Sequence, residues 1–455
     1  MRHTKLALAV MASAILAACG SGSPTGGKQD LKVKFASQVS FGDSLSDVGT
    51  YKVGTVAALG GGKFTINGDN TAANPALTGK IWIELLAAQF GLPAPCAAQT
   101  GLEGNAAKGF SVPVQNHTGC YAYGQGGARV TNPVGDGNKA TGSELGALTV
   151  PVVTQVKNHL AAIGGKFKGD EIVFMWGGNN DLLHGLDELS AAATAAGTAA
   201  GNTAFANSLV AQLAAGATNP QTAAASIGLA LATENARPGH TETSVVTAAV
   251  TAAVMAGNTA AASPTTQATI IAKAKADGAT AGAKAGADYA AANGPALVPA
   301  MAVAAKEISA LVKTQLLANG AKYVVVNNIP DVANTPSGLA QSETTRGLIN
   351  AMVKAFNDTL NAELGTADGV LIVDTFSESH SQATNPAPFG LTNTKEPACD
   401  LAKSPLGNSL SCNASNLKAG DVSHYSFTDT VHPTPFLHQL LARYVAEKMV
   451  IKGWL

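Results

Sequence analysis

Apolar residues fall along this chain in two rhythms. Four short segments carry the dense hydrophobic runs of buried strands: Leu31–Phe41 (LKVKFASQVSF), Asp170–Met175 (DEIVFM), Lys322–Asn327 (KYVVVN) and Val370–Asp374 (VLIVD). Other segments repeat apolar residues at helical steps. They are Lys80–Phe90, with Ile81, Leu85 and Phe90 on one face, then Leu148–Ile163, Pro299–Asn319, Thr344–Leu364 and Pro435–Val450. Apolar strands alternating with amphipathic helices predict an α/β fold with a mostly parallel sheet covered on both faces.

The rhythm stops between Leu189 and Ala296. Roughly two in five residues from 191 to 300 are alanine, and the only aromatic residues there are Phe205 and Tyr289. No fixed period marks a solenoid. Alanine favours helix, so short helices punctuated by Gly and Pro are expected. A weakly amphipathic helix is expected over Thr266–Ala292, weakened by Gly278, Gly282 and Gly286. The apolar run Val245–Met255 is too short and Thr-rich to span a membrane.

Composition narrows the function classes. The 455 residues carry 29 Lys+Arg against 30 Asp+Glu, and charged residues make up only 13%. That balance leaves no electrostatic footprint for nucleic acid. Low charge with 46% hydrophobic residues does not describe a disordered chain, although alanine buries little area and inflates that fraction. The length admits two or three domains. The pattern instead predicts one core, residues 31–188 and 297–455, interrupted by a mainly helical insertion at 189–296.

The first residues, MRHTKLALAVMASAILAAC, place Arg2 and Lys5 before an apolar stretch from Leu6 to Leu16. Such a stretch suits a signal peptide better than a spanning helix. Leu16-Ala17-Ala18-Cys19 resembles the bacterial lipobox. That resemblance implies a signal peptide over 1–18 and a lipid on Cys19. With Gly20 next, it implies residence in the envelope, at the outer membrane of a Gram-negative cell, or else secretion. Residues 19–30 have the make-up of a flexible tether. Four other cysteines remain, an even number suited to an oxidising compartment. Of their three pairings the sequence-local one is expected, Cys96–Cys120 with Cys399–Cys412. No Cys-x-x-Cys occurs, and the histidines show no metal-ligand spacing, so neither metal nor cofactor is expected.

The candidate chemistry lies in four blocks. Phe41-Gly42-Asp43-Ser44-Leu45-Ser46-Asp47 ends the first strand. Gly126-Gly127-Ala128-Arg129-Val130, Gly178-Asn179-Asn180-Asp181 and Asp429-Thr430-Val431-His432-Pro433 follow in that order. Together they resemble the four blocks of the SGNH, or GDSL, hydrolases. Val324–Pro336 also resembles that family's segment before the last block. The resemblance implies a three-layer, flavodoxin-like α/β/α sandwich. It also implies a serine esterase or lipase acting on small-molecule or lipid esters through an acyl-enzyme.

Elementary chemistry assigns the same roles. A serine hydroxyl is a weak nucleophile and needs an imidazole; the imidazole needs an orienting carboxylate. Ser44, His432 and Asp429 fill these roles, and the three-residue spacing lets one turn carry the last two. Asp374, at a strand end, is the rival orienter. The oxyanion would meet the backbone N–H of Ser44, the backbone N–H of Gly127 and the amide of Asn180, with Gly126 the rival to Gly127. Ser44 could instead cap the turn after the strand. Asp43 and Asp47 are expected to shape the loop, and Trp82, Trp176 and Trp454 to pack. Two other readings remain: a polysaccharide O-acetylesterase, and a non-catalytic envelope lipoprotein acting as a binding module. The insertion is either a helical cap supplying apolar surface to an acyl chain or an inert excursion.

Overall fold

The computed structural model describes residues 32–68 and 79–455. The expected signal peptide, the Cys19 lipidation site and the tether lie outside the described residues. The chain divides into two compact units, one formed by the chain up to His184 and from Val298 on, the other by Gly185–Leu297.

The first unit is α/β. In chain order its strands are β1 (Ser37–Gly42), β2 (Gln99–Glu103), β3 (Ser111–Asn116), β4 (Glu171–Trp176), β5 (Tyr323–Asn327), β6 (Val370–Val373), β7 (Asn393–Pro397) and β8 (Tyr425–Phe427). Among the described residues the helices of eight or more residues are α1 (Trp82–Gln89), α2 (Val152–Ala162), α3 (Asn179–Ala215), α4 (Pro220–Asn235), α5 (Glu242–Met255), α6 (Pro264–Asn293), α7 (Leu297–Leu311), α8 (Glu343–Leu364), α9 (Thr375–Thr384) and α10 (Pro435–Lys452).

Strands β1, β4, β5 and β6 form a sheet in the order β1-β4-β5-β6, and all three pairings are parallel. Every residue of β4 is buried, which is why it reads as an unbroken apolar run. The first strand starts later than its sequence suggests. Pairing begins at Ser37 opposite Glu171, whereas Val33 and Phe35 pack against the core without joining the ladder. One face of the sheet presents Ile172, Phe174, Trp176, Val325 and Val373 to Trp82, Ile83 and Leu86 of α1 and to Val445 and Met449 of α10. All three tryptophans lie in this cluster. Two of them also anchor backbone, Trp82 Nε1 on the carbonyl of Leu45 at 3.0 Å and Trp176 Nε1 on that of Asn328 at 3.0 Å. The opposite face, with Val173, Met175, Val324 and Val326, is buried as well.

Two small pairs escape the sequence pattern. β2 and β3 are antiparallel with a register shift, and β3 is almost wholly exposed, so no alternation marks it. β7 and β8 meet in parallel. Both sequence-local disulfides are present, Cys96–Cys120 and Cys399–Cys412.

The second unit corrects the expectation of short helices. The helix expected over Thr266–Ala292 is present as α6, with 30 residues, but α3, which lies in this unit from Gly185 on, has 37. The glycines do not break them; they let two backbones meet. A Cβ on Gly197 would lie 2.8 Å from the Gly282 carbonyl oxygen, one on Gly201 3.0 Å from that of Gly278, and one on Gly286 3.1 Å from that of Ala193. The partners 193/286, 197/282 and 201/278 advance by four on one helix as they retreat by four on the other, so α3 and α6 run antiparallel with glycine at the contact. Leu209, Leu213, Ile227, Val246 and Val250 give this unit its own apolar core.

Candidate active site

β1 ends at Gly42, whose φ of +152° is open to glycine and strained for other residues. A Cβ there would lie 2.2 Å from the carbonyl oxygen of Trp176 on β4, so only glycine lets the two strand ends approach this closely. Gln155 of α2 brackets the same residue, accepting from Gly42 N–H at 2.8 Å and donating to Gly42 O at 2.8 Å. The chain then turns through Ser44–Ser46. Asp43 caps this turn by accepting the N–H of Leu45 at 3.0 Å; Ser44 does not, which removes the capping role from its hydroxyl. The nucleophile candidate therefore sits just beyond the carboxyl end of a parallel strand, where α/β sheets place ligands.

The last block folds into one tight turn. Asp429 Oδ1 accepts the backbone N–H groups of Val431 at 2.9 Å and His432 at 2.8 Å, an Asx-type turn. Asp429 Oδ2 lies 2.8 Å from His432 Nδ1 and accepts the N–H of Ser409 at 2.9 Å. On the other side of the ring, His432 Nε2 lies 2.9 Å from Ser44 Oγ. Ser44, His432 and Asp429 thus form one hydrogen-bonded chain across 388 residues of sequence separation. Proline follows at 433, and Thr434 caps α10.

Electrostatics sort the two acidic and basic partners. Burial alone would raise the Asp429 carboxyl, but His432 and the donated N–H groups more than offset it and hold it well below the usual carboxylate range. Burial pulls the His432 imidazole down, yet Asp429, with Asp43 and Asp136 adding charge, leaves it above its ordinary value. Asp429 is ionised and fixes the Nδ1–H tautomer, which leaves the Nε2 lone pair for the Ser44 hydroxyl.

Three residues with donors to spare line the same cleft. The Ser44 N–H has no partner among the described residues. Gly126 is already committed, because its N–H donates to Asp47 Oδ2 at 3.0 Å. Gly127 N–H has no partner among the described residues, and its φ of +78° suits glycine. Of these two glycines, Gly127 is the one whose N–H is uncommitted. Asn180 Nδ2 donates one hydrogen to the carbonyl of Ala128 at 2.9 Å and keeps the second.

The blocks are tied to one another by their own residues, and Tyr51 and Phe64, which the sequence did not mark, pack against them. Asn179 Nδ2 donates to Asp43 Oδ2 at 2.9 Å. Asp181 accepts the N–H of Val130 at 3.0 Å and pairs with Arg129 at 3.3 Å, joining the second and third blocks. Tyr51 OH donates to Gly126 O at 2.8 Å. The Phe64 ring lies 5.0 Å from the His432 ring. Burial pushes Asp43 and Asp47 up to about 6, against their hydrogen bonds from Asn179 and Leu45 and from Thr50, Gly49 and Gly126 respectively. Asp374, the rival orienter, is engaged elsewhere: it caps α9 and accepts from Asn328 Nδ2 at 2.9 Å.

The cleft has a volume of about 290 Å³ and is lined by Ser44, Gly127, Asn180 and His432 together with Phe64 and Leu145. Among the described residues no three His, Cys, Asp or Glu side chains gather into a metal-binding group. In comparisons with known proteins, no family model matches this chain and no curated protein sequence matches it.

Proposed function

We propose that the protein is a serine esterase of the SGNH type, with the three-layer α/β/α arrangement that this resemblance implies. The observation that carries the reading is the continuous contact Ser44 Oγ–His432 Nε2 at 2.9 Å and His432 Nδ1–Asp429 Oδ2 at 2.8 Å, with uncommitted donors lining the same cleft.

The chemistry follows from those positions. His432 Nε2 takes the Ser44 proton as Oγ attacks the ester carbonyl. The resulting oxyanion accepts from Ser44 N–H, Gly127 N–H and the free Asn180 hydrogen, each worth about 3–4 kcal/mol in the transition state. Collapse breaks the bond to the alcohol oxygen, which leaves with the proton from Nε2. Water then gives a proton to Nε2 and attacks the acyl carbonyl; the bond to Ser44 Oγ breaks, Oγ takes the proton back from Nε2, and the acid is released.

A cleft of about 290 Å³ lies at the small end of ligand pockets and supports short acyl esters as substrates. The lipobox resemblance and the two disulfides support an envelope lipoprotein anchored through Cys19. A fluorophosphonate probe tests the activity. Wild type labels and hydrolyses short-chain esters, whereas Ser44→Ala does neither and loses at least about 10³-fold in kcat. An unlabelled wild type would favour the non-catalytic lipoprotein.

A further inference from the structure

We propose that Ser409 is a positioning residue for the Asp429–His432 pair, and that the Cys399–Cys412 bridge closes the loop that carries it. The proposal rests on the serine-esterase reading.

Ser409 makes two separate contacts with the pair. Its backbone N–H donates to Asp429 Oδ2 at 2.9 Å, and its Oγ lies 3.1 Å from His432 Nδ1. The first contact completes the carboxylate. Oδ1 is held by Val431 N–H and His432 N–H, and without Ser409 the oxygen that faces Nδ1 most closely would have no backbone donor. The second contact gives the Nδ1–H a further acceptor beside the carboxylate. Such an acceptor holds the ring plane and strengthens when the ring becomes imidazolium, because hydrogen bonds to charged groups exceed neutral ones. Ser409 is 0% exposed, so no bulk water replaces a lost hydroxyl.

The loop supports both contacts from its two ends. Cys399 N–H donates to the carbonyl of Thr428 at 3.0 Å, one residue before Asp429. Cys412 O accepts Asn67 N–H at 2.7 Å, and Asn67 Nδ2 also donates to Ser409 O at 3.2 Å. Within the loop, Ser404 Oγ and Ser411 Oγ are 2.8 Å apart, and Ser411 Oγ accepts Leu406 N–H at 3.0 Å. Leu410 is buried beside Tyr51 and Leu102. The stretch Leu401–Ser411 has little regular structure beyond the turn Ser409–Ser411. A covalent closure across 13 residues therefore removes much of the freedom by which Ser409 could leave the pair.

The test uses Ser409→Ala, Cys399→Ser/Cys412→Ser and the combined variant in the full chain. Substrates are short-chain p-nitrophenyl esters, and kcat is expressed per site labelled at the end point by fluorophosphonate, which removes any misfolded fraction. Ser409→Ala is expected to lower kcat about tenfold with KM within about twofold. It is also expected to move the acid limb of kcat/KM to lower pH, since the imidazolium loses an acceptor. The cysteine variant lowers kcat in the same direction. Adding Ser409→Ala to it costs less than in the bridged enzyme, the non-additivity of groups that act together. An unchanged kcat and acid limb in Ser409→Ala would overturn the proposal, as would full additivity. Ser409→Ala keeps the bridge and so decides the matter even where the cysteine variant does not fold. A wild type that neither labels nor hydrolyses esters overturns the esterase reading itself, whereas an active wild type matched by Ser409→Ala overturns only the role of Ser409.

Discussion

A serine can attack only while its imidazole is neutral, so the balance of charge around His432 sets the pH at which the site works. Burial favours the neutral ring. Asp429 favours the charged ring and, with Asp43 and Asp136, prevails, leaving the group above its ordinary value of 6.5. The sign follows directly: a proton held more tightly on the ring is released only at higher pH. We expect kcat/KM to fall as pH falls, with its midpoint above 6.5; a pH–rate profile checks this, and a midpoint below 6.5 contradicts it. Asp43 and Asp47, both near 6, act in the same direction, because protonation weakens their acceptance from Asn179 and from Gly126. At this scale Ser44, Asp429, His432 and Asn180 were legible because short sequence blocks hold them. Asp429 and His432 share a turn of four residues, whose geometry is local. Gln155, 113 residues from its partner Gly42, carries no such mark. Neither does Ser409, whose role exists only once the loop has closed.

Elements differ in how plainly a sequence announces them. β4 and β5 are buried in a parallel sheet, so their apolar runs Ile172–Trp176 and Val324–Val326 leave little alternative. β3 is exposed and β8 has three residues, so both fall below any pattern. The glycines of α3 misled for a different reason, and those of α6, expected only to weaken its helix, share it. Propensity counts glycine as a cost within one helix, whereas here its benefit lies between two. Two substitutions separate these effects. Gly228 in α4 has no atom near an added Cβ, so Gly228→Ala should stabilise the unit by about 0.5–1 kcal/mol. Gly282→Ala places its Cβ 2.8 Å from the Gly197 carbonyl oxygen, and overpacking of about 1–3 kcal/mol exceeds that gain. Urea unfolding followed by far-ultraviolet circular dichroism should show midpoints moving in opposite directions; a shared direction contradicts the close-packing account.

At the scale of the molecule, the two units have separate cores, and the cleft residues all belong to the first. Replacing 185–297 by a short Gly/Ser linker should therefore leave Ser44 open to fluorophosphonate labelling. The same shortened chain, assayed on esters of increasing acyl length, reads whether the insertion contributes to substrate choice: an unchanged profile identifies it as catalytically inert, and a changed one as part of acyl selection. The division was visible in composition, since alanine replaces the periodic apolar residues near 189 and they return near 297. The packing of the insertion was not visible, because alanine and glycine reveal where a backbone is helical but not what it touches.

The glycine contact between α3 and α6 also bears on how this sequence can drift. Its partners are backbone atoms, which mutation does not alter. The constraint therefore falls on a few positions, Gly197, Gly201, Gly278 and Gly282 with Ala193 and Gly286, that must stay small. Outward-facing residues of both helices are free to vary over generations without disturbing the pair. Apart from the apolar core around Leu209, Leu213, Ile227, Val246 and Val250, a segment of such plain composition thus concentrates its inherited constraint in six places and leaves much of its surface open to new uses.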